Sequence, residues 1–134
     1  MRIALLCLIA GCQRSNDRLI EVARHDWRIH EQVLLAGEQA AACPAAGAAM
    51  QVVIKAHLAE LSAAVATTAP ENIKAVTTFI AAHPTEFPDF DDRWDALRDR
   101  CPHDPAVQQA FRDLGLAGLD QTPALALPTP GGSE

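Results

Sequence analysis

Tyrosine is absent, and four Phe and two Trp are the whole aromatic complement of the 134 residues. Lysine occurs only at Lys55 and Lys74, and the sequence shows no basic patch. With 11 Lys and Arg against 17 Asp and Glu, the net charge is −6, which repels a phosphate backbone and argues against a nucleic-acid partner. Runs of β-branched residues are scarce and alanine is abundant, a composition that favours helix over strand. The chain lacks Cys-x-x-Cys-His and Cys-x-x-Cys, which speaks against covalent c-type haem and a thioredoxin-like redox role. It also lacks a Gly-rich phosphate loop and a Gly-x-Ser-x-Gly elbow. No catalytic motif stands out, so the expectation is a protein that is not an enzyme and carries no cofactor.

What is present begins with an apolar run, Ile3 to Ala10, behind the single positive charge of Arg2. The run is well short of the roughly 18 residues that span a bilayer. A charged start, an apolar core and small residues at Ala10 and Gly11 are the parts of an export signal. The stretch Ile9-Ala10-Gly11-Cys12 resembles the lipobox of bacterial lipoproteins. The resemblance covers residues 1–13 and implies cleavage before Cys12, with lipid (palmitate among its chains) on that thiol and on the freed amine. Two or three acyl chains anchor a protein firmly where one does not, since each buried methylene adds about 0.8 kcal/mol. In Gram-negative lipoproteins an Asp after the lipidated Cys retains the protein in the inner membrane. Gln13 stands there, which implies the periplasmic face of the outer membrane. The alternative is that the same residues form the buried start of a cytoplasmic bundle.

Export sorts the four cysteines. Cys7 leaves with the signal and Cys12 takes lipid. Cys43 and Cys101 remain for an oxidising periplasm to pair. In the domain reading, residues 1–11 are the signal, 12–17 the lipidated Cys and a short polar tether, 18–118 a helical domain, and 119–134 a flexible tail rich in Pro and Gly. The length suits a single domain.

The fold class expected is all-α, a small bundle of four to five helices with one disulfide. Helix 1 is expected over 16–42, capped by Ser15 or Asn16, with an apolar arc through Leu19, Ile20, Trp27, Ile29, Val33 and Leu34. Pro44 interrupts the chain, and a second helix is expected over 44–67 with Met50, Ile54, Leu58, Leu61 and Val65 as its core row. Thr68-Ala69-Pro70-Glu71 reads as a capping box opening a third helix that ends at His83-Pro84. Phe90, Trp94, Leu97 and Cys101 fall on one stripe of a fourth helix. Asp104-Pro105 starts a fifth, with Val107, Ala110, Phe111 and Leu114 facing inward and Gly115 at its end.

Asp26 and His30 stand four apart inside the apolar arc and can touch. They could form an acid–base or metal-binding pair with His25 or His57, but a half-buried hydrogen-bonded pair that stabilises the helix is the simpler expectation. His25 and His30 are five apart, and a zincin needs four with Glu after the first. No metal site is expected. Glu86, Asp89, Asp91, Asp92 and Asp95 suggest calcium only until the loop is counted: the sixth and twelfth positions from Asp89 are Trp94 and Arg100, where an EF-hand has Gly and Glu. Pairs Asp89–Arg93 and Asp95–Arg98 on a solvated helix start fit better. Phe87 and Phe90 are candidate exposed contacts for a protein partner, Phe87 above all, while Trp94 is assigned to the core.

These features point to a non-catalytic protein-binding module tethered to the envelope. By architecture it resembles two lipoprotein groups. Pilotins of type II secretion escort secretin subunits, and periplasmic immunity proteins neutralise injected toxins. No residue roles carry over from either. The alternatives are a structural envelope lipoprotein and a His/Asp metal-binding protein.

Overall fold

Helix α1 (Arg2–Gln39) is the spine against which every other helix but the last is laid. The structure, a computed structural model, describes the backbone of residues 2–116 and the side chains of residues 16–116. The elements that follow are α2 (Cys43–Ala56), α3 (Leu58–Ala64), a 3-10 turn (Val65–Thr68), α4 (Ile73–Ala82), α5 (Asp91–Arg100) and α6 (Pro105–Asp113). The fold is all-α, and no strand occurs among the described residues.

Nothing in residues 2–39 breaks a helix outright, since proline is absent and the only glycines are Gly11 and Gly37. Helix α1 therefore runs unbroken through residues 12–17, where a tether was expected, and positions 15 and 16 lie inside the helix rather than at its start. It stops before Pro44, whose ring would strike the carbonyl four residues back if the helix continued. Arg100 closes this end by donating from Nη2 to the Gly37 carbonyl at 2.7 Å.

The second expected helix is two. The chain leaves helical geometry at His57 (φ −121°, ψ 24°), and the segments on either side meet at 76°. No Pro or Gly marks the break. Tertiary packing sets it: α2 lies along α1 and α6, and the bend folds α3 back onto α1, burying Ala64 and Thr67. The expected core row is split as a result. Met50 and Ile54 are buried, but Leu58 and Val65 are 56% and 69% exposed. The capping box fails too, because Thr68 donates its hydroxyl back to the Val65 carbonyl at 3.0 Å and α4 starts later, after Asn72.

Helix α6 follows its sequence closely. Asp104 accepts from the backbone N–H groups of Ala106 and Val107, both at 3.0 Å, and Pro105 occupies the first turn. Gly115 takes φ 75°, and the Gly115 and Leu116 N–H groups return to the Arg112 and Phe111 carbonyls, closing a Schellman motif.

The main core joins Ile29, Val33 and Leu34 of α1 to Met50, Trp94, Leu97, Val107 and Phe111 from the other helices. A smaller cluster of Ala23, Val76 and Phe87 fills the gap between α1 and α4, and Trp27 packs against both. Cys101, 2% exposed, is disulfide-bonded to Cys43, with Cα atoms 5.6 Å apart. The bond pins the start of α2 to the end of α5, whereas the sequence suggested the end of helix 1.

Reduction of this bond releases a 58-residue loop and is expected to lower unfolding free energy by about 4 kcal/mol, measured by urea titration with and without reductant. A Cβ on Gly47 would meet the Ala106 Cβ and lie 2.8 Å from backbone atoms of Ala106 and Val107. Helix propensity favours Ala by about 1 kcal/mol, but overpacking against backbone costs about 1–3 kcal/mol. Gly47→Ala is therefore expected to lower the Tm. Gly37→Ala, whose Cβ would lie 2.8 Å from Leu97 Cδ2 and 2.9 Å from Met50 Sδ, meets buried side chains rather than backbone and is expected to lower it less.

Candidate functional site

The helical repeat of α1 sets Asp26 and His30 one turn apart, on the side that faces the end of α6. His30 Nδ1 lies 2.9 Å from the Asp26 carbonyl and 3.4 Å from its Oδ1. Both side chains are half-buried, 19% and 24% exposed. Burial opposes charging the imidazole most strongly. The Asp26 carboxylate, the Asp26 carbonyl and the Leu114 carbonyl together outweigh it, so the His30 pKa is raised above its ordinary 6.5.

The pair forms a wall between two clefts. One, about 200 Å³, is lined by Trp27, Phe90, Trp94, Asp89, Asp91 and Leu116 as well as the pair itself. The other, about 470 Å³, runs under the 3-10 turn and the end of α6. Its threonines are committed to backbone carbonyls: Thr67 donates to Ala64 at 2.7 Å and Thr68 to Val65. Neither hydroxyl is directed to His30 as a nucleophile would be.

His57 does not join Asp26 and His30. Its Nδ1 faces Glu60 Oε1 at 3.6 Å. Among the described residues, no group of three or more His, Cys, Asp or Glu side chains is placed to hold a metal ion. The acidic run is drawn into other work. Glu86 pairs with Arg24, which also binds Glu21 at 2.6 Å. Asp95 pairs with Arg98 at 2.7 Å as expected. Asp89 instead accepts from the Asp91 N–H at 2.8 Å, and Arg93 reaches across to Glu38, with Nε 3.0 Å from Oε2.

The expectation that Phe87 and Phe90 are exposed contacts is corrected. They are 3% and 7% exposed. Phe87 meets the rings of Trp27 and Phe79 edge-on, and Phe90 packs beside Trp27 under the Arg93 guanidinium. The position of Phe87 at a loop suggested exposure, but its ring fills the gap between α1 and α4. Trp94 is in the core, 5% exposed, as assigned. The large apolar side chains that do reach the surface include Val52, Leu58 and Val65. Periodicity placed two of these inside, because it carried no mark of the bend at His57. Cys12 lies within α1, and its side chain and the 119–134 tail fall outside the described residues.

No protein-family model, curated protein or solved structure matches the chain.

The raised His30 pKa fixes the sign of a pH dependence. The folded state holds the proton more tightly than the unfolded chain, so the pair's contribution is fully present below the ordinary value of 6.5 and is lost as pH rises through the folded value. Urea midpoints at about pH 5.5 and about pH 8.5 are expected to differ less in His30→Gln than in the native chain, with the loss concentrated at the lower pH.

Proposed function

We propose that the chain is a lipid-anchored protein of the bacterial envelope, held on the periplasmic face of the outer membrane by acyl chains on Cys12, and that its helical body is a non-catalytic protein-binding module of the pilotin or immunity-protein kind. The observation that carries this reading is the pairing of Cys43 with Cys101. Disulfides of this structural type persist in oxidising compartments, and the lipobox-like Ile9-Ala10-Gly11-Cys12 supplies the route to one. The two features are far apart in sequence and support the same compartment independently.

The body's position on its anchor also fits. Helix α1 continues from Cys12 to Leu19, which packs on the smaller cluster, a rise of about 10 Å. A domain so close to its lipid would hold a partner near the membrane surface.

Expression in a Gram-negative host fed labelled palmitate tests the anchor. The native chain is expected to carry label and fractionate with the outer membrane, whereas Cys12→Ser is expected to be unlabelled and released to the soluble periplasm. An unlabelled native chain, or free thiols at Cys43 and Cys101 in protein taken from the envelope, would sink the proposal. Cross-linking in intact cells then separates a dedicated binder, which gives one stoichiometric adduct, from a structural lipoprotein, which does not.

A further inference from the structure

We propose that the groove beside the elbow at His57 is covered in cis by the segment Pro123-Ala124-Leu125-Ala126-Leu127 of the same chain. The groove holds about 430 Å³ between α2, α3 and the end of α6, room for more than one aliphatic side chain. Its apolar wall is presented to solvent. Leu58 and Val65 are 56% and 69% exposed, belong to neither core cluster, and flank Leu61 at helical spacing. Covering this row removes exposed apolar surface that would otherwise favour self-association.

The path of the chain names the occupant. Asp113, the last residue of α6, lines the groove, and residues 117–134 continue from Leu116, three positions further on. Leu125 stands nine residues beyond Leu116, a reach of roughly 30 Å, against a radius of gyration of about 13 Å for a body of this size. A tether of that length holds the segment at about millimolar local concentration, so contacts too weak to bind a free peptide suffice.

The composition of the segment agrees. Stretches that stay in solvent are poor in aliphatic residues and rich in charge. From Leu119 to Pro130 this one has three leucines and a single charge, Asp120. Pro123 and Pro128 keep the four residues between them from forming a helix. In an extended chain Leu125 and Leu127 fall on the same side about 7 Å apart, which suits a row that rises about 10 Å from Leu58 to Val65. Lys55 at the rim has no ion-pair partner among the described residues, and Asp120 is the acid that the segment brings. This inference does not rest on the lipid anchor, because groove and segment both lie beyond α1.

The full chain, methyl-labelled at Leu and Val and held one chain per lipid nanodisc, tests this by NMR. Cross-relaxation is expected between the methyls of Leu125 and Leu127 and those of Leu58 and Val65. Leu125→Asp/Leu127→Asp, which alters no core residue, is expected to abolish it and to shift the methyls of Leu58, Leu61 and Val65, while those of Val33, Leu34 and Val107 stay in place. Groove methyls that do not move in the double variant overturn the proposal. So does cross-relaxation of Leu58 and Val65 with lipid acyl chains in place of the segment. Contacts that appear only when two chains share a disc assign the groove to a second copy and overturn it as well. The native chain alone decides the matter if the variant fails to fold, because the expected cross-relaxation is either present there or absent.

Discussion

Burial of one stripe of α1 is the constraint on which the other helices depend. Ile29 is 4% exposed, and Val33 and Leu34 are fully enclosed. Side chains of this size contribute about 1.5–3 kcal/mol each when removed from water. The other helices are mostly short: α3 has 7 residues, α6 has 9, and α4 and α5 have 10 each. Helices of this length are marginal alone in water. Their order comes from a shared surface, which α1 provides for α3, α4 and α5, and α2 provides for α6. Trp27 extends the arrangement by packing on both clusters, so the small group around Phe87 is coupled to the main core.

Sequence was most informative where one residue type fixes one backbone conformation. Asp104, Pro105 and Gly115 each have a physical task that few other residues perform, and the ends of α6 are where they indicate. The apolar arc of α1 was legible for the same reason, since its period is long and regular. The elbow at His57 was not. It carries no local signal and arises because α2 and α3 pack in different directions, information held in the partner helices. The start of α4 shows the same limit: Thr68 had two acceptable roles, and the 3-10 turn selected the one that excludes a capping box.

The candidate site was half legible. Helical spacing brought Asp26 and His30 together, but it could not show that the Leu114 carbonyl and the aromatic cleft meet them there, because those belong to α6 and α5. Phe87 and Phe90 stand at a loop, and that place alone suggested exposure. What decides their exposure is the space between helices, which Phe87 fills. Proximity in sequence is a poor guide to environment in a bundle whose loops cross the gaps between elements.

The bond between Cys43 and Cys101 also determines how the molecule would bear tension. Along the covalent chain, force applied across the described residues enters through α1, crosses the disulfide and leaves through α6, so the backbone between the two cysteines is bypassed. The 58-residue span between the two cysteines is hidden length, roughly 200 Å of extended chain that stays folded in place until the sulfurs are reduced. The molecule thus acts as a short, stiff link under load in an oxidising medium and as a long, compliant one in a reducing medium.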